Sequence, residues 1–370
     1  MQKPAITVLF IFCLLFYGGC WDLRDIDQRS IVLGVAFDQT EENAEMMMTL
    51  EIPLLMTING ENGANEETSV LLSTTGKTPA QMATHFERRN WRQLFFGHTK
   101  IVLISEALAR EGIQPFIDFF DRNPHIDRRL NLVIAQGEAR TVLEAENPRE
   151  PLASVYLKNM LEVQTKTSRV ITRNFQDSLI RLEDNGDAIL PRVRATETEL
   201  TIGGGALIKD WKLIAWLDEN EARAAQFLHD RVDGGRMTVT IDTMVYTYSI
   251  LTAKTRIRPL LQNGVLSMEI KIESEGNIVE VFSYTKDHQS LHSIKEINQK
   301  INQLIHEEVM HLLNKLQYLQ VDAIGFEQRI RRRYPNFMRQ YNDNWSQQYF
   351  PTLQFTLETD FQIRRTGILD

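Results

Sequence analysis

The chain has 370 residues, of which 43% are apolar and 24% are charged, an ordinary mixture for a globular protein. The 41 Lys and Arg residues against 49 Asp and Glu residues give a net charge of −8, which argues against a broad nucleic-acid-binding surface. A mean hydropathy of −0.27 excludes a protein with many membrane spans. Two cysteines exclude a disulfide-dense scaffold and an all-cysteine metal site.

The first twenty residues have the layout of a secretory signal peptide. Lys3 supplies a short positive region, residues 5–17 are apolar apart from one threonine, and two glycines precede Cys20. We therefore predict that residues 1–19 are a cleaved signal peptide. Two alternatives stay open. One is an uncleaved membrane helix, since an uncharged run of 18 residues reaches the lower limit for crossing a bilayer. The other is a buried N-terminal helix.

The residues around Cys20 are similar to a bacterial lipobox. The motif is Tyr17-Gly18-Gly19-Cys20, with Tyr17 where leucine is usual. In a lipobox the cysteine thiol receives a diacylglycerol and becomes the new N-terminus after cleavage. An acidic protein gains little from the negative membrane surface. We therefore predict that Cys20 is lipidated and that acyl chains such as palmitate anchor the protein, since two acyl chains bind stably where one is marginal.

Residues 20–195 are predicted to form an N-terminal domain of mixed α and β structure, in one or two subdomains. Short apolar and β-branched runs predict its strands. A proline at the first helical position and periodic apolar residues predict its helices. The predicted strands cover residues 30–38, 45–55, 70–75, 101–104 and 130–135, and the predicted helices cover residues 78–91, 114–122, 139–146, 151–163 and 174–183.

Residues 196–370 are predicted to form a C-terminal α+β domain, because the pattern changes near residue 189 to alternating or β-rich segments. Asp218 and Glu221 have capping-box spacing and begin a helix that ends near His229. The β-rich segments predict a largely antiparallel sheet and cover residues 193–208, 213–217, 237–250, 255–261, 265–273, 278–283 and a closing strand at 352–364.

One long amphipathic helix is predicted over residues 290–318, because apolar residues recur every three or four positions from Leu291 to Leu316. Its length would be roughly 43 Å at 1.5 Å per residue. Ser293 and Glu296 match a capping box. We expect its apolar face to pack on the sheet, with a coiled-coil partner as the alternative. The fold class is therefore α+β, a multi-domain mixed α/β chain.

The sequence contains no Gly-x-Ser-x-Gly, phosphate-loop or His-Glu-x-x-His motif. Gly203-Gly204-Gly205 lies between β-type segments, which favours a bend over a nucleotide loop. His288 and His292 have the spacing of helical metal ligands, but a metal site needs further ligands, so we interpret them as solvated helix histidines. We predict no enzyme activity, no cofactor and no metal.

Arg329, Arg331, Arg332 and Arg333 form the densest basic run of the chain. Two interpretations stay open for it. Cations at a helix C-terminus complement the helix dipole. Alternatively, the run contacts lipid head groups or an acidic partner.

Several short motifs, in order along the chain, resemble the Ger(x)C spore germination family. They are Cys20-Trp21-Asp22-Leu23-Arg24-Asp25-Ile26, Ile31-Val32-Leu33-Gly34, Asp38, Gly97-His98-Thr99-Lys100, Ala109, Gly112-Ile113, Arg122, Arg128-Arg129, Gly205-Ala206-Leu207-Ile208-Lys209-Asp210-Trp211-Lys212-Leu213, Leu217, Asp322-Ala323-Ile324-Gly325-Phe326, Pro335 and Trp345. Ala215-Trp216 departs from the family pattern, which often has glycine there. Only Cys20 carries over with a defined chemical role.

The resemblance implies the lipoprotein C subunit of a spore nutrient germinant receptor, with a mixed α and β fold in two or three domains. Its partners would be a permease-like subunit and a second membrane subunit, at the outer face of the spore inner membrane, with no nucleic acid. The alternative is a solute-binding lipoprotein that delivers a small molecule to a transporter. Such a protein would need two similar lobes with a cleft, and the two halves of this sequence differ in their predicted secondary structure.

Overall fold

The structure is a computed structural model that describes residues 28–40, 45–54, 68–145, 150–196, 199–283, 292–339 and 345–366. Cys20, the predicted signal peptide at residues 1–19 and His288 lie outside the described residues. The strands are β1 (Arg29–Ile31), β2 (Gly34–Gln39), β3 (Met46–Pro53), β4 (Ser69–Gly76), β5 (Gln93–Phe95), β6 (Ile101–Ser105), β7 (Asn131–Ala135), β8 (Ala188–Leu190), β9 (Arg192–Ala195), β10 (Leu200–Ile202), β11 (Gly205–Lys209), β12 (Lys212–Leu217), β13 (Gly235–Ile241), β14 (Met244–Gln262), β15 (Val265–Ser283) and β16 (Gln354–Thr366).

The α-helices alternate with these strands in the first half of the chain and are fewer in the second, which contains the longest one, with 26 residues. They are α1 (Pro79–Arg89), α2 (Glu106–Glu111), α3 (Gln114–Asp121), α4 (Arg140–Glu144), α5 (Ala153–Gln164), α6 (Phe175–Asn185), α7 (Glu219–Leu228), α8 (Ile294–Leu319), α9 (Phe326–Arg333) and α10 (Pro335–Met338). The mixed α+β, multi-domain fold class is confirmed.

A seven-stranded sheet with the order β10-β9-β7-β6-β2-β3-β4 organises the N-terminal region. Its middle strands β9, β7, β6 and β2 are parallel, and both outer pairs are antiparallel. Alternate residues of β6 enter two different cores: Val102 packs with α1 and α3, and Leu103 packs with α4 and α5. A parallel strand covered by helices on both faces reads as a continuous apolar run, which explains the short unbroken strand signals.

Strands of the C-terminal region form a four-stranded sheet, β13-β14-β15-β16, and pair with β8 of the N-terminal region in a three-stranded antiparallel sheet, β12-β11-β8. Strands β14 and β15 each have 19 residues and form one long hairpin, while β16 pairs with β15 in parallel. The apolar stripe of α8 is fully buried in this region's core, which confirms that its apolar face packs within the domain. Its members are Ile297, Ile301, Ile305, Val309, Leu312, Leu313 and Leu316.

Several predicted strand boundaries were wrong. The β-rich segment at residues 193–208 contains parts of three strands, and the one at residues 237–250 is divided by a turn at Asp242, whose φ is 52°. Conversely, β14 and β15 each continue through a predicted gap. Register shifts near Ile250 and at Gly276 interrupt the alternation of exposed and buried residues without ending the strands. The long helix begins at Ile294 rather than residue 290, because Ser293 caps it.

Candidate functional site

His292 is the described member of the pair of histidines that have the spacing of helical metal ligands. His292 lies before α8, where its Nδ1 is 2.9 Å from the Tyr246 hydroxyl and its Nε2 is 3.1 Å from Asp242 Oδ2. The interpretation of His292 as a solvated helix histidine was therefore wrong: it ties the β13–β14 hairpin to the start of α8. The described residues contain no group of three or more potential metal ligands.

The triple glycine is a bend, as predicted. Gly204 has φ +67°, and a side chain there would collide with the Leu217 carbonyl oxygen. The backbone of Gly204 bonds to Arg169 and Ile171, with N–O distances of 3.0 and 3.2 Å. Glycine is needed here because two other backbone segments approach this residue closely.

The basic run divides into two parts. The last turn of α9 carries Arg331, Arg332 and Arg333, in agreement with the helix-dipole interpretation. Arg329 instead turns back along the helix, and its Nη1 donates to the Ile324 and Gly325 carbonyl oxygens at 2.8 and 2.9 Å. It is partly buried and belongs to a different environment from the exposed last turn.

An open groove of about 1100 Å³ lies between α1, the α2–α3 segment and the β11–β12 turn. We call it the Trp211 groove. Its lining mixes apolar and charged side chains, including Leu108, Phe119, Arg122, Trp211 and Lys212. Several motif residues quoted above converge on it, although they are far apart in sequence.

The turn that carries Trp211 is a tight two-residue connection. Asp210 and Trp211 have φ values of 47° and 66°, the arrangement of a hairpin turn matched to strand twist. The Trp211 backbone N–H donates to the Gly186 carbonyl at 2.9 Å, and the Trp211 carbonyl accepts from Ile113 N–H at 2.8 Å. The turn is therefore bonded to both α6 and the start of α3.

Asp187 connects this turn to the C-terminal part of the chain. Its two carboxylate oxygens accept the backbone N–H groups of Asp210 and Asp322 at 3.2 and 3.1 Å. Burial raises the pKa of Asp187 to about 7, against the lowering effect of these two hydrogen bonds. One side chain thus joins three distant segments.

The Asp322 carboxylate binds the backbone at the start of α9. It accepts backbone N–H groups from Gly325, Phe326 and Glu327 at 2.6–2.9 Å, and the Trp345 indole N–H at 3.3 Å. Burial raises the pKa of Asp322 to about 6 although these bonds favour the charged form. This one carboxylate binds groups from residue 325 to residue 345, which gives the Asp322-Ala323-Ile324-Gly325-Phe326 motif and Trp345 a structural role.

Two motif residues of the N-terminal region have similar structural roles. Asp38 accepts the Ala139 and Arg140 N–H groups at 2.6 and 2.8 Å and so caps α4. Thr99 is buried, and its hydroxyl donates to the Val32 carbonyl at 3.1 Å. Burial raises the pKa of Asp38 to about 6.

Sequence reasoning missed Asp187 and the groove. The role of Asp187 could not be predicted from its neighbours in sequence, because the two backbone N–H groups that its carboxylate accepts lie 23 and 135 residues away. The Asp210-Trp211 pair was noted only as part of a motif, with no interaction assigned. Within the described residues, no helix is long and apolar enough to span a bilayer.

These features define a chain whose buried carboxylates join distant segments around an open surface groove. The family model described as the spore germination protein N-terminal domain matches residues 22–195, and the spore germination B3/GerAC-like C-terminal model matches residues 203–367. The chain therefore belongs to the Ger(x)C family of spore germination proteins.

Individual relatives resemble the chain over nearly its whole length. Spore germination proteins KC and B3 of Bacillus subtilis (strain 168) are each 23% identical, covering 100% and 99% of this chain and 97% and 99% of their own. Protein YndF of the same strain is 26% identical over 93% of this chain and 92% of its own. The crystal structure of the GerBC protein has a TM-score of 0.61 at 18% identity, covering 93% of this chain and all of that one.

Proposed function

We propose that this protein is the lipid-anchored, non-enzymatic subunit of a spore nutrient germinant receptor. The observation that carries the proposal is the pair of family matches, which together extend from residue 22 to residue 367. In this proposal the predicted domains, residues 20–195 and 196–370, form the body of the subunit at the outer face of the spore inner membrane. Anchoring raises its effective concentration beside its partners.

The partners in this proposal are a permease-like subunit and a second membrane subunit. We assign the Trp211 groove to a segment of one of them, because it combines apolar walls with charged rims. Interfaces commonly place apolar anchors at the centre and charges at the edge. The lining carries the exposed cations Lys212 and Arg122 together with the carboxylates of Glu111, Asp118 and Asp210, so its charges suit a segment that carries both signs.

Deleting the gene tests the proposed function. Germination in response to one set of nutrients should be lost, while germination by non-nutrient triggers should remain. The deletion is made in a strain without paralogues, and the wild-type gene is returned as the control. Normal nutrient germination of the deleted strain would contradict the proposal.

Lipidation is tested at the predicted site. Cys20→Ala should remove labelling by radioactive fatty acid and release the protein from membranes, because the thiol that receives the lipid is gone. Cys13→Ala is the matched control and should keep both properties. Unchanged membrane retention of Cys20→Ala would refute the anchor without refuting a role in germination.

The groove is tested by charge reversal. Lys212→Glu should reduce recovery of the membrane subunits when the protein is purified from spores, because it reverses a rim charge without touching the core. Lys300→Glu, an exposed change on α8, should leave recovery unchanged. Equal recovery with both variants would exclude the groove as the contact surface.

A solute-binding lipoprotein would require two similar lobes. The described sheets differ in strand number, order and direction, so the observations favour the receptor subunit. Calorimetry of the full chain with candidate nutrients separates the two functions, and micromolar binding by the chain alone would favour the solute-binding protein.

A further inference from the structure

A group of cationic side chains converges where α6, the end of α7 and α9 meet. We call it the arginine junction, and it consists of Arg173, Arg181, Arg231, Arg329, Arg332 and His229. The side chains come from both halves of the sequence. Arg181 Nη1 lies against Gly325, where an added side chain would collide with it, and Arg329 Nη1 donates to the Gly325 carbonyl at 2.9 Å.

Arg173 is buried in this junction, and among the described residues its carboxylate neighbour Asp177 is paired with Arg231 rather than with Arg173. The residue is 4% exposed, and its Nε has no hydrogen-bond partner among the described residues. His229 Nε2 is also buried and unpartnered there. Buried polar groups in native proteins are nearly always hydrogen-bonded, so two unpaired nitrogens in one cluster indicate a missing partner such as water or an ion.

The charges of the junction do not balance. Its five guanidinium groups interact with three carboxylates, Asp177, Asp184 and Asp322, which leaves two positive charges. Asp177 is already paired with Arg231 at 2.8 Å. Arg231 and Arg332 are exposed to solvent, so the uncompensated buried charge is that of Arg173, and an arriving anion would stabilise it.

The pKa values of Arg173 and His229 agree with an excess of positive charge in the junction. Burial and the charges of Arg231 and Arg181 lower the pKa of Arg173 to about 9. Burial and four neighbouring arginines hold the pKa of His229 well below its ordinary value, so that its ring is neutral at pH 7. A neutral imidazole still presents a hydrogen-bonding nitrogen to an anion.

We propose that the arginine junction binds a phosphate-type dianion through Arg173, its arginine neighbours and His229. Guanidinium groups bind phosphate oxygens in pairs of parallel hydrogen bonds. A phosphate monoester carries about −1.5 to −2 charges at pH 7, which matches the excess of the junction better than one carboxylate does. The phosphate comes either free from solution or from a lipid headgroup, and the site does not depend on the proposed receptor function.

Thermal unfolding of the full chain in neutral detergent, followed by tryptophan fluorescence, tests the site. Inorganic phosphate should raise the melting temperature of the wild type more than sodium chloride of equal ionic strength does. Arg173→Met should be more stable than the wild type without phosphate, because it removes an unpaired buried charge. Its phosphate affinity should fall at least about tenfold, the equivalent of about 1.4 kcal/mol. Arg258→Met, an exposed change on β14, should behave like the wild type.

Asp177→Asn provides a test of opposite sign. Removing this carboxylate makes the junction more positive, so phosphate should bind several-fold more tightly than to the wild type. A purely structural role for the cluster predicts lower stability with no change in phosphate affinity. Equal responses of wild type, Arg173→Met and Asp177→Asn to phosphate would overturn the proposal, as would equal stabilisation by phosphate and by glutamate, which would indicate an acidic protein segment instead.

Vesicles of two lipid compositions distinguish a lipid headgroup phosphate from a free phosphate. The full chain is placed in phosphatidylcholine vesicles with and without phosphatidylglycerol. A higher melting temperature with phosphatidylglycerol, abolished by Arg173→Met, supports a lipid headgroup. The same melting temperature in both vesicles, rising only when inorganic phosphate is added, supports a free phosphate. No Arg173-dependent change in either condition would overturn the site altogether.

Discussion

Two helices of the N-terminal region and two helices of the C-terminal region begin with caps of different range. In the N-terminal region, buried carboxylates cap helices that lie far away in sequence: Asp38 caps α4 and Glu51 caps α5, each about a hundred residues on. In the C-terminal region, α7 and α8 begin with local capping boxes, Asp218 with Glu221 and Ser293 with Glu296. The local caps match a sequence pattern, whereas the remote caps depend on the finished sheet.

This contrast follows from the sheets. Short parallel strands place helix starts beside strand ends only after several crossovers have formed. The long β14–β15 hairpin joins neighbouring segments of the chain directly, and α8 then covers one face of its sheet. The N-terminal helices α4 and α5 should therefore respond to loss of Asp38 or Glu51, and the C-terminal helices α7 and α8 to loss of the contact between them.

The largest effect is expected for the pair that joins α7 to α8. Arg223 forms two bonds with Glu308, including Nε to Oε2 at 3.0 Å, and both side chains are at least nine-tenths buried. Glu308→Ala leaves a buried arginine unpaired and should lower the free energy of unfolding by about 3–5 kcal/mol. Urea denaturation measures this free energy of unfolding. The neighbouring exposed Glu307→Ala should change it by less than about 0.5 kcal/mol.

A remote cap is the next test. Glu51 accepts the Ala153 and Ser154 N–H groups at 2.8 and 3.0 Å and also bonds the Ser154 hydroxyl. Glu51→Ala leaves these buried donors unsatisfied, so we expect a loss of about 2–3 kcal/mol. Hydrogen exchange should show α5 opening first. If exposed Glu87→Ala had the same effect, the importance of remote caps would be disproved.

The pH dependence of stability tests Asp187. Its pKa is about 7 in the folded chain and 3.8 in the unfolded reference, so the folded state binds the extra proton between these values. This contribution is therefore complete below about pH 4 and is lost as the pH rises through 7. Asp187→Asn should remove up to about 2 kcal/mol of the stability difference between pH 5 and pH 8. An unchanged pH profile would contradict the assigned pKa.

The smallest effect is expected for a local cap. Ser293 Oγ accepts the Glu296 N–H at 3.3 Å in an exposed capping box. Ser293→Ala should cost about 1 kcal/mol, since solvent replaces the lost bond. Lys300→Ala serves as the control. A loss as large as that of Glu51→Ala would remove the distinction between local and remote caps.

Features that depend on nearby residues were predicted from the sequence, whereas features that depend on distant residues were missed. The apolar periodicity of α8 and the capping pattern of α7 lie within the sequences of those helices, and both helices were predicted. The continuity of β14 was missed, because register shifts break its alternation without ending its pairing. Asp187 and Arg173 were missed for another reason: their environments are built by segments that approach only in three dimensions, so no spacing indicates them.

The bond from Asp187 to Asp322 spans 135 residues, and this has a consequence for biosynthesis. Asp187 can bind the β11–β12 turn early, but it gains the Asp322 N–H only after most of the polypeptide has been synthesised. Contacts of such separation slow folding, and incomplete chains expose apolar surface that promotes aggregation. A truncated product ending before residue 322 would leave this region without its final connection and become a substrate for proteolysis.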